Sequence, residues 1–237
     1  MRIAILTTQT PHHAHFVRAL AKRYEIASVL LETAAVQPPF DTAHDFETER
    51  QIYEVEHWFG QAAEPDIGDF APCARYASLN DPDALKHLDK ASPDIAIVFG
   101  TGRLAPSVLD LLPGCILNLH GGNPEHYRGL DTHLWAIYHD DYEGLVSCLH
   151  LAEPELDTGA VLAMRPVPLR RGMELYELRA ANTETCIDIS VEQLDRLGSG
   201  GQLQFQPLQT KGRYYSFMPA CLKSLCVDKF RRYTEKL

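Results

Sequence analysis

Asn118, His120 and Asp157 are the residues of this chain whose types and spacing could do chemistry together. Asn118 and His120 flank a single leucine at the end of the apolar run 115–119. In a strand, residues two apart point to the same side, so the amide and the imidazole should project together where the strand ends. Asp157 follows in the polar stretch 153–159. Such a set suits acyl transfer to an amine. Attack on the acyl carbon builds negative charge on its oxygen, and the Asn118 amide and a protonated His120 can each donate an N–H to it. Asp157 can orient the imidazole, hold its charge, or relay protons through water. Each role typically contributes on the order of 10²-fold. No Ser or Cys nucleophile is needed, because a neutral amine attacks by itself. The bland alternative is that Asn118 and His120 only cap a strand end.

These residues need a sheet to hold them. An apolar run at 2–6 opens into polar residues, and a helix starts at Pro11 with Phe16, Val17 and Leu20 on one face. A second strand at 26–31 completes a βαβ start, which predicts a parallel sheet. Residues 32–70 read as an insertion over one sheet edge, with a helix within 47–59. Further strands are expected at 75–79, 94–99, 115–119, 145–151 and 160–167. Helices are expected after Asn80 or Asp81 to about Lys90, at 106–112, at 131–138, and at 174–197 up to Gly198. The tail 203–237 carries a short strand, the segment 212–218 and a final helical piece. The fold class is α/β: a Rossmann-like, open, mostly parallel twisted sheet. Residues 1–200 form the main domain and 201–237 a short C-terminal extension. Ligands of open α/β sheets bind outside the carboxyl ends of the strands, which is where 118–122 falls. Gly121 and Gly122 leave room there for a close approach.

Composition narrows the options. The chain has 237 residues, 45% hydrophobic and 23% charged, the balance of an ordinary globular protein. A net charge of −10 disfavours a nucleic-acid partner, since phosphate backbones are bound by Lys and Arg. Six scattered cysteines form no C-x-x-C pair. Gly100-Thr-Gly102 lacks the third glycine of a dinucleotide loop. Of His12, His13 and His15, only His12 and His15 share a helix face, and no carboxylate stands at ligand spacing. They read as a solvated helix start or a substrate-side contact, and no metal is expected. His126, His133, His139 and His150 read as structural or exposed. Trp135 and Tyr138 read as core, and Tyr214-Tyr215 as packing of the tail. The first strand is too short for a signal segment and no apolar run reaches membrane-spanning length, so a cytoplasmic protein with no membrane partner is expected.

The run Asn118-x-His120, then Tyr127-Arg-Gly129, Trp135-Ala-Ile137 and Leu156-Asp-Thr-Gly159, resembles the 10-formyltetrahydrofolate-dependent formyltransferases. That family includes glycinamide ribonucleotide formyltransferase, methionyl-tRNA formyltransferase and the sugar N-formyltransferases. The resemblance covers about 94–169 well and the first strand and helix loosely. It implies the formyltransferase fold, with Asn118, His120 and Asp157 as catalytic residues and 10-formyltetrahydrofolate as co-substrate. Phe99, Gly100, Arg103, Leu104 and Ala105 match the loop bordering the pteridine ring, and Glu153 and Leu156 the loop closing its other side. Gly121, Gly122, Tyr127 and Arg128 fall on the acceptor side. Many members carry Ser-Leu-Leu-Pro after the histidine, where this chain has Gly121-Gly-Asn-Pro124. The outline, with neither the additional C-terminal tRNA-binding domain nor an extra N-terminal regulatory domain, is most similar to the sugar N-formyltransferases. The implied acceptor is the amine of a nucleotide-linked sugar. Glycinamide ribonucleotide, an amino acid, or a non-catalytic folate- or nucleotide-binding role are the alternatives, and a homodimer stays open.

Overall fold

The computed structural model describes residues 1–60 and 65–237. In chain order the strands are β1 (Arg2–Thr7), β2 (Glu25–Glu32), β3 (Cys73–Tyr76), β4 (Ile95–Phe99), β5 (Ile116–Gly121), β6 (Tyr127–Gly129), β7 (Val146–Leu151), β8 (Val161–Pro166) and β9 (Arg213–Tyr215). Seven of them form one sheet in the order β3-β2-β1-β4-β5-β7-β8. The first five are parallel, whereas β7 and β8 add antiparallel. β4 is buried along its whole length, which is why Ile-Ala-Ile-Val-Phe has no polar alternation.

Helices cover both faces. On one, Phe16, Val17 and Leu20 of α1 (Pro11–Ala21) meet Cys186, Ile189 and Leu194 of α6 (Leu178–Gly198) over the sheet. On the other, Leu88 of α3 (Pro82–Ala91) and Val108 of α4 (Pro106–Leu109) cover β1 and β4. A third apolar cluster joins Ile137 of α5 (Thr132–Tyr138) to Cys226 and Phe230 of α7 (Ala220–Thr234).

Several elements differ from the sequence reading. The strand expected at 75–79 lies at Cys73–Tyr76, because Asp81 draws the Ser78 N–H into the turn that opens α3. The helix expected at 106–112 is a single turn, and the long helix begins with a separate tight turn at Leu175–Glu177. Part of the supposed edge insertion, 61–64, lies outside the described residues. Its helix, α2 (Asp45–Phe59), packs on α1 and the Leu175–Glu177 turn rather than over an edge strand. Glu54 of α2 is fully buried and bonds both Nε and Nη2 of Arg179 at 2.7 Å. His12 and His13 are buried under this helix layer, so the solvated helix start is corrected. Among the described residues, no helix is long and apolar enough to cross a membrane.

Candidate active site

β5 extends past the expected boundary to Gly121, so His120 sits inside a paired strand and not in a loop. Its antiparallel neighbour β7 places His150 opposite Asn118 and Cys148 opposite His120. Asp157 lies between β7 and β8 with φ of 54°, a left-handed conformation unusual for a residue with a side chain. Its carboxylate is held from the other side: the Gly129 N–H donates to Oδ2 at 2.8 Å. Gly129 is the end of β6, which pairs in parallel with β9 of the C-terminal segment. With φ of 95°, and with a Cβ that would overlap the Tyr215 carbonyl oxygen, this position accepts only glycine.

The resulting cluster is compact and buried. His120 Nδ1 lies 3.4 Å from Asp157 Oδ1, and both side chains are 6% exposed. The Asn118 amide donates to the same oxygen at 3.3 Å and to His150 Nε2 at 3.0 Å. His150 Nδ1 meets the Leu151 carbonyl at 2.8 Å; a carbonyl only accepts, so Nδ1 carries the proton and Nε2 is free to accept from Asn118. The same logic fixes His120, whose Nε2 donates to the Tyr127 carbonyl at 2.8 Å. Burial pushes the His120 imidazole below its ordinary 6.5, outweighing the pull of Asp157. Burial works to raise the Asp157 carboxyl, but His120, His150 and the Gly129 N–H together win and hold it at about 2. The resting site is therefore a carboxylate beside a neutral imidazole. Cys148, on the same face of β7 as His150, is no nucleophile, since burial raises its thiol far above the usual range.

A cleft of about 320 Å³ opens beside the cluster and is lined by Asn118, His120, His150 and Asp157. The loop after β4 forms one wall with Gly100, Arg103 and Leu104, and the loop after β7 another with Glu153 and Leu156. The first loop is fixed from behind: Glu32 accepts from the Gly102 N–H at 2.6 Å, and Asn80 bonds Arg103 and Ala105. Arg103 crosses the cleft mouth to the Pro154 carbonyl. Flat glycine backbone facing leucines suits a planar heteroaromatic ring edged by peptide groups.

Not every residue expected here lines this cleft. Phe99 turns to the opposite side of β4, against the His12, His13 and Phe16 rings, and Ala105 serves as the cap of α4. Gly121 borders a second cavity on that opposite side, and Gly122 backs onto Thr132. Tyr127 is buried, stacked on Tyr215. Arg128 is 4% exposed and spends its guanidinium on the Leu156 and Gly212 carbonyls and on Glu155, so it braces the loop that carries Asp157. His150, read from sequence as structural or exposed, belongs to the cluster. Its signal was available: strand alternation puts His150 and Cys148 on one face of the strand after the Asn-x-His strand. Tyr214, for which the sequence favours tail packing over stacking on a nucleotide base, is half exposed at the cleft mouth. Among the described residues, no group of three or more His, Cys, Asp or Glu side chains is arranged to hold a metal ion.

Comparison with known proteins gives the fold and the family. The methionyl-tRNA formyltransferase of Thermosynechococcus vestitus is 34% identical over 129 residues, which is 54% of this chain and 38% of that protein. The chain thus spans well under half the length of that relative. Glycinamide ribonucleotide transformylase 1 from Symbiobacterium toebii superposes with a TM-score of 0.60 at 17% identity, covering 88% of this chain and 94% of its own. The formyltransferase PseJ from Anoxybacillus kamchatkensis, in complex with UDP-4,6-dideoxy-4-formamido-L-AltNAc and tetrahydrofolate, gives 0.57 at 15% identity, covering 91% and 85%. At such identities the likeness establishes the fold. Residues 1–185 match the Formyl transferase family model, and a match over most of its length makes this chain a member of the formyl transferase family.

Proposed function

We propose that the protein transfers a formyl group from 10-formyltetrahydrofolate to a primary amine on a small molecule, with an amino-sugar nucleotide as the preferred acceptor. The observation that carries this reading is the convergence of Asn118, His120 and Asp157 on one cleft wall, between two braced loops. Residues 1–200 act as the catalytic unit, and 201–237 support it through β9 and Gly129.

The roles follow from the free valences. The amine's lone pair attacks the formyl carbon and a new C–N bond forms, leaving negative charge on oxygen. Asn118 has both amide hydrogens engaged at rest, and the longer contact, to Asp157, is the one exchanged for that oxygen. The proton shed by the attacking nitrogen passes to His120 Nδ1, since the other nitrogen of that ring is committed to the Tyr127 carbonyl. From there it passes to the departing folate nitrogen as the old C–N bond breaks. Asp157, ionised and 3.4 Å away, steadies the imidazolium between those two transfers. A carboxyl held at about 2 is too weak a base to take the proton itself.

A second reading has one observation behind it: the relative matched in sequence acts on tRNA. The net charge of −10 weighs against it. The test is to incubate the pure protein with 10-formyltetrahydrofolate and a panel of amino-sugar nucleotides, glycinamide ribonucleotide, amino acids and methionyl-tRNA, following tetrahydrofolate release. Release with an amino-sugar nucleotide, lost in His120→Ala while folate binding survives, is expected. No release with any acceptor, from a protein that binds folate, would establish a non-catalytic binding protein instead.

A further inference from the structure

A second cavity, about 200 Å³, lies across the strand ends from the folate-facing cleft. Phe99 and Gly121 line it, while their neighbours Gly100 and His120 line the first, so the two spaces flank the same stretch of backbone. Gly121 has no side chain to stand between them; a Cβ there would come within 3.1 Å of the His133 ring. Arg50 and Arg179 line this cavity and also an outer groove beside the start of α1.

The two guanidiniums differ in how far they are satisfied. Arg179 gives its Nε and Nη2 to the buried Glu54. Arg50 has no such match: its Nε is buried without any hydrogen-bond partner. Its one ion-pair neighbour among the described residues, Glu47, is 3.7 Å away and is held more closely by Lys223 at 3.0 Å. Asp131 lines the same cavity, but its Oδ2 accepts the Met218 N–H and no ion pair to Arg50 forms. The other titratable groups there add no charge. Burial drives His12 well below its ordinary value, and burial likewise takes His133 down to about 4, so both are neutral near pH 7. An arginine fork that is one-fifth exposed and keeps one buried, unpartnered N–H, beside a second guanidinium that repels it, offers both charge and a free donor to an anion.

We propose that this second cavity receives the acceptor, its amine toward Gly121 and His120 and an anionic group, carboxylate or phosphate, at Arg50 and Arg179. The inference rests on the formyl-transfer reading and narrows it to acceptors that carry an anion close to the amine. Phosphate and carboxylate share the chemistry the fork recognises, and the experiment separates them.

The full chain is titrated with inorganic phosphate and, separately, with acetate, against sodium chloride at matched ionic strength, following thermal stabilisation and its saturation. One of the two anions should stabilise the wild type saturably; phosphate would point to a phosphorylated acceptor and acetate to a carboxylated one. Arg50→Gln should weaken that binding by about tenfold or more while leaving tetrahydrofolate binding unchanged. Should Arg50→Gln not fold, Arg50→Lys keeps the charge, loses the fork, and should show a several-fold loss. Saturable stabilisation by neither anion, or equal stabilisation in the Arg50 variant, overturns the proposal. Anion binding by a protein that never binds tetrahydrofolate would support this site while refuting formyl transfer, so the two failures are told apart.

Discussion

Replacing Asp157 by Asn keeps the shape of the side chain and removes its charge, so it isolates what the buried carboxylate does. The carboxyl ionises at about 2 in the folded protein against an ordinary 3.8, because His120, His150 and the Gly129 N–H overcome the burial that opposes them. The folded state thus prefers the ionised form by about 2 kcal/mol, and at 6% exposure solvent does little to screen it. A depressed carboxyl contributes stability that is complete above the unfolded value of 3.8 and lost as pH falls through about 2. Urea unfolding of wild type and Asp157→Asn, at several pH values from 7 to 2, gives the difference in stability between them. Groups distant from residue 157 cancel in that difference, and repeating the pair in a His120→Ala background separates the share owed to the coupled imidazole. Whatever its size at neutral pH, the difference should move against the wild type by about 2 kcal/mol between pH 5 and pH 2. A difference that stays flat across this range would mean that Asp157 titrates like a free carboxyl, and the charge assignment of the whole cluster would fail with it.

Two further outcomes follow from the same contacts. His150→Phe removes the acceptor that fixes the Asn118 amide at 3.0 Å; turnover should fall by on the order of 10- to 100-fold with tetrahydrofolate affinity nearly unchanged, and a loss confined to KM would contradict that role. Glu54→Gln puts an uncharged amide at a fully buried position beside Arg179, whose own side chain keeps 27% exposure, and chemical denaturation should show a cost of about 2–3 kcal/mol; a change below about 1 kcal/mol would mean that α2 is not anchored through this pair.

The parts of the molecule legible in the sequence are those set by local pattern. Arg2–Thr7, Ile95–Phe99 and the Asn118-x-His120 strand announce themselves as short apolar runs ending in polar or glycine residues, and the parallel sheet follows from their alternation with helices. Hidden from such a reading are the features made by residues far apart in the chain. The β6–β9 pair joins Tyr127–Gly129 to Arg213–Tyr215, and neither three-residue segment has a strand signature of its own. Yet that pairing sets Gly129, and Gly129 sets the Asp157 carboxylate. His12 and His13 look like a polar helix start until α2 and Phe99 close over them, and only then does desolvation make them neutral. His150 marks the boundary between the two kinds of information. Its strand was readable, and so was the strand carrying Asn118; the antiparallel register that sets one against the other was not. That register turns a lone imidazole into the group that aims the amide, so the least visible feature of the sequence is the one that orients its most visible motif.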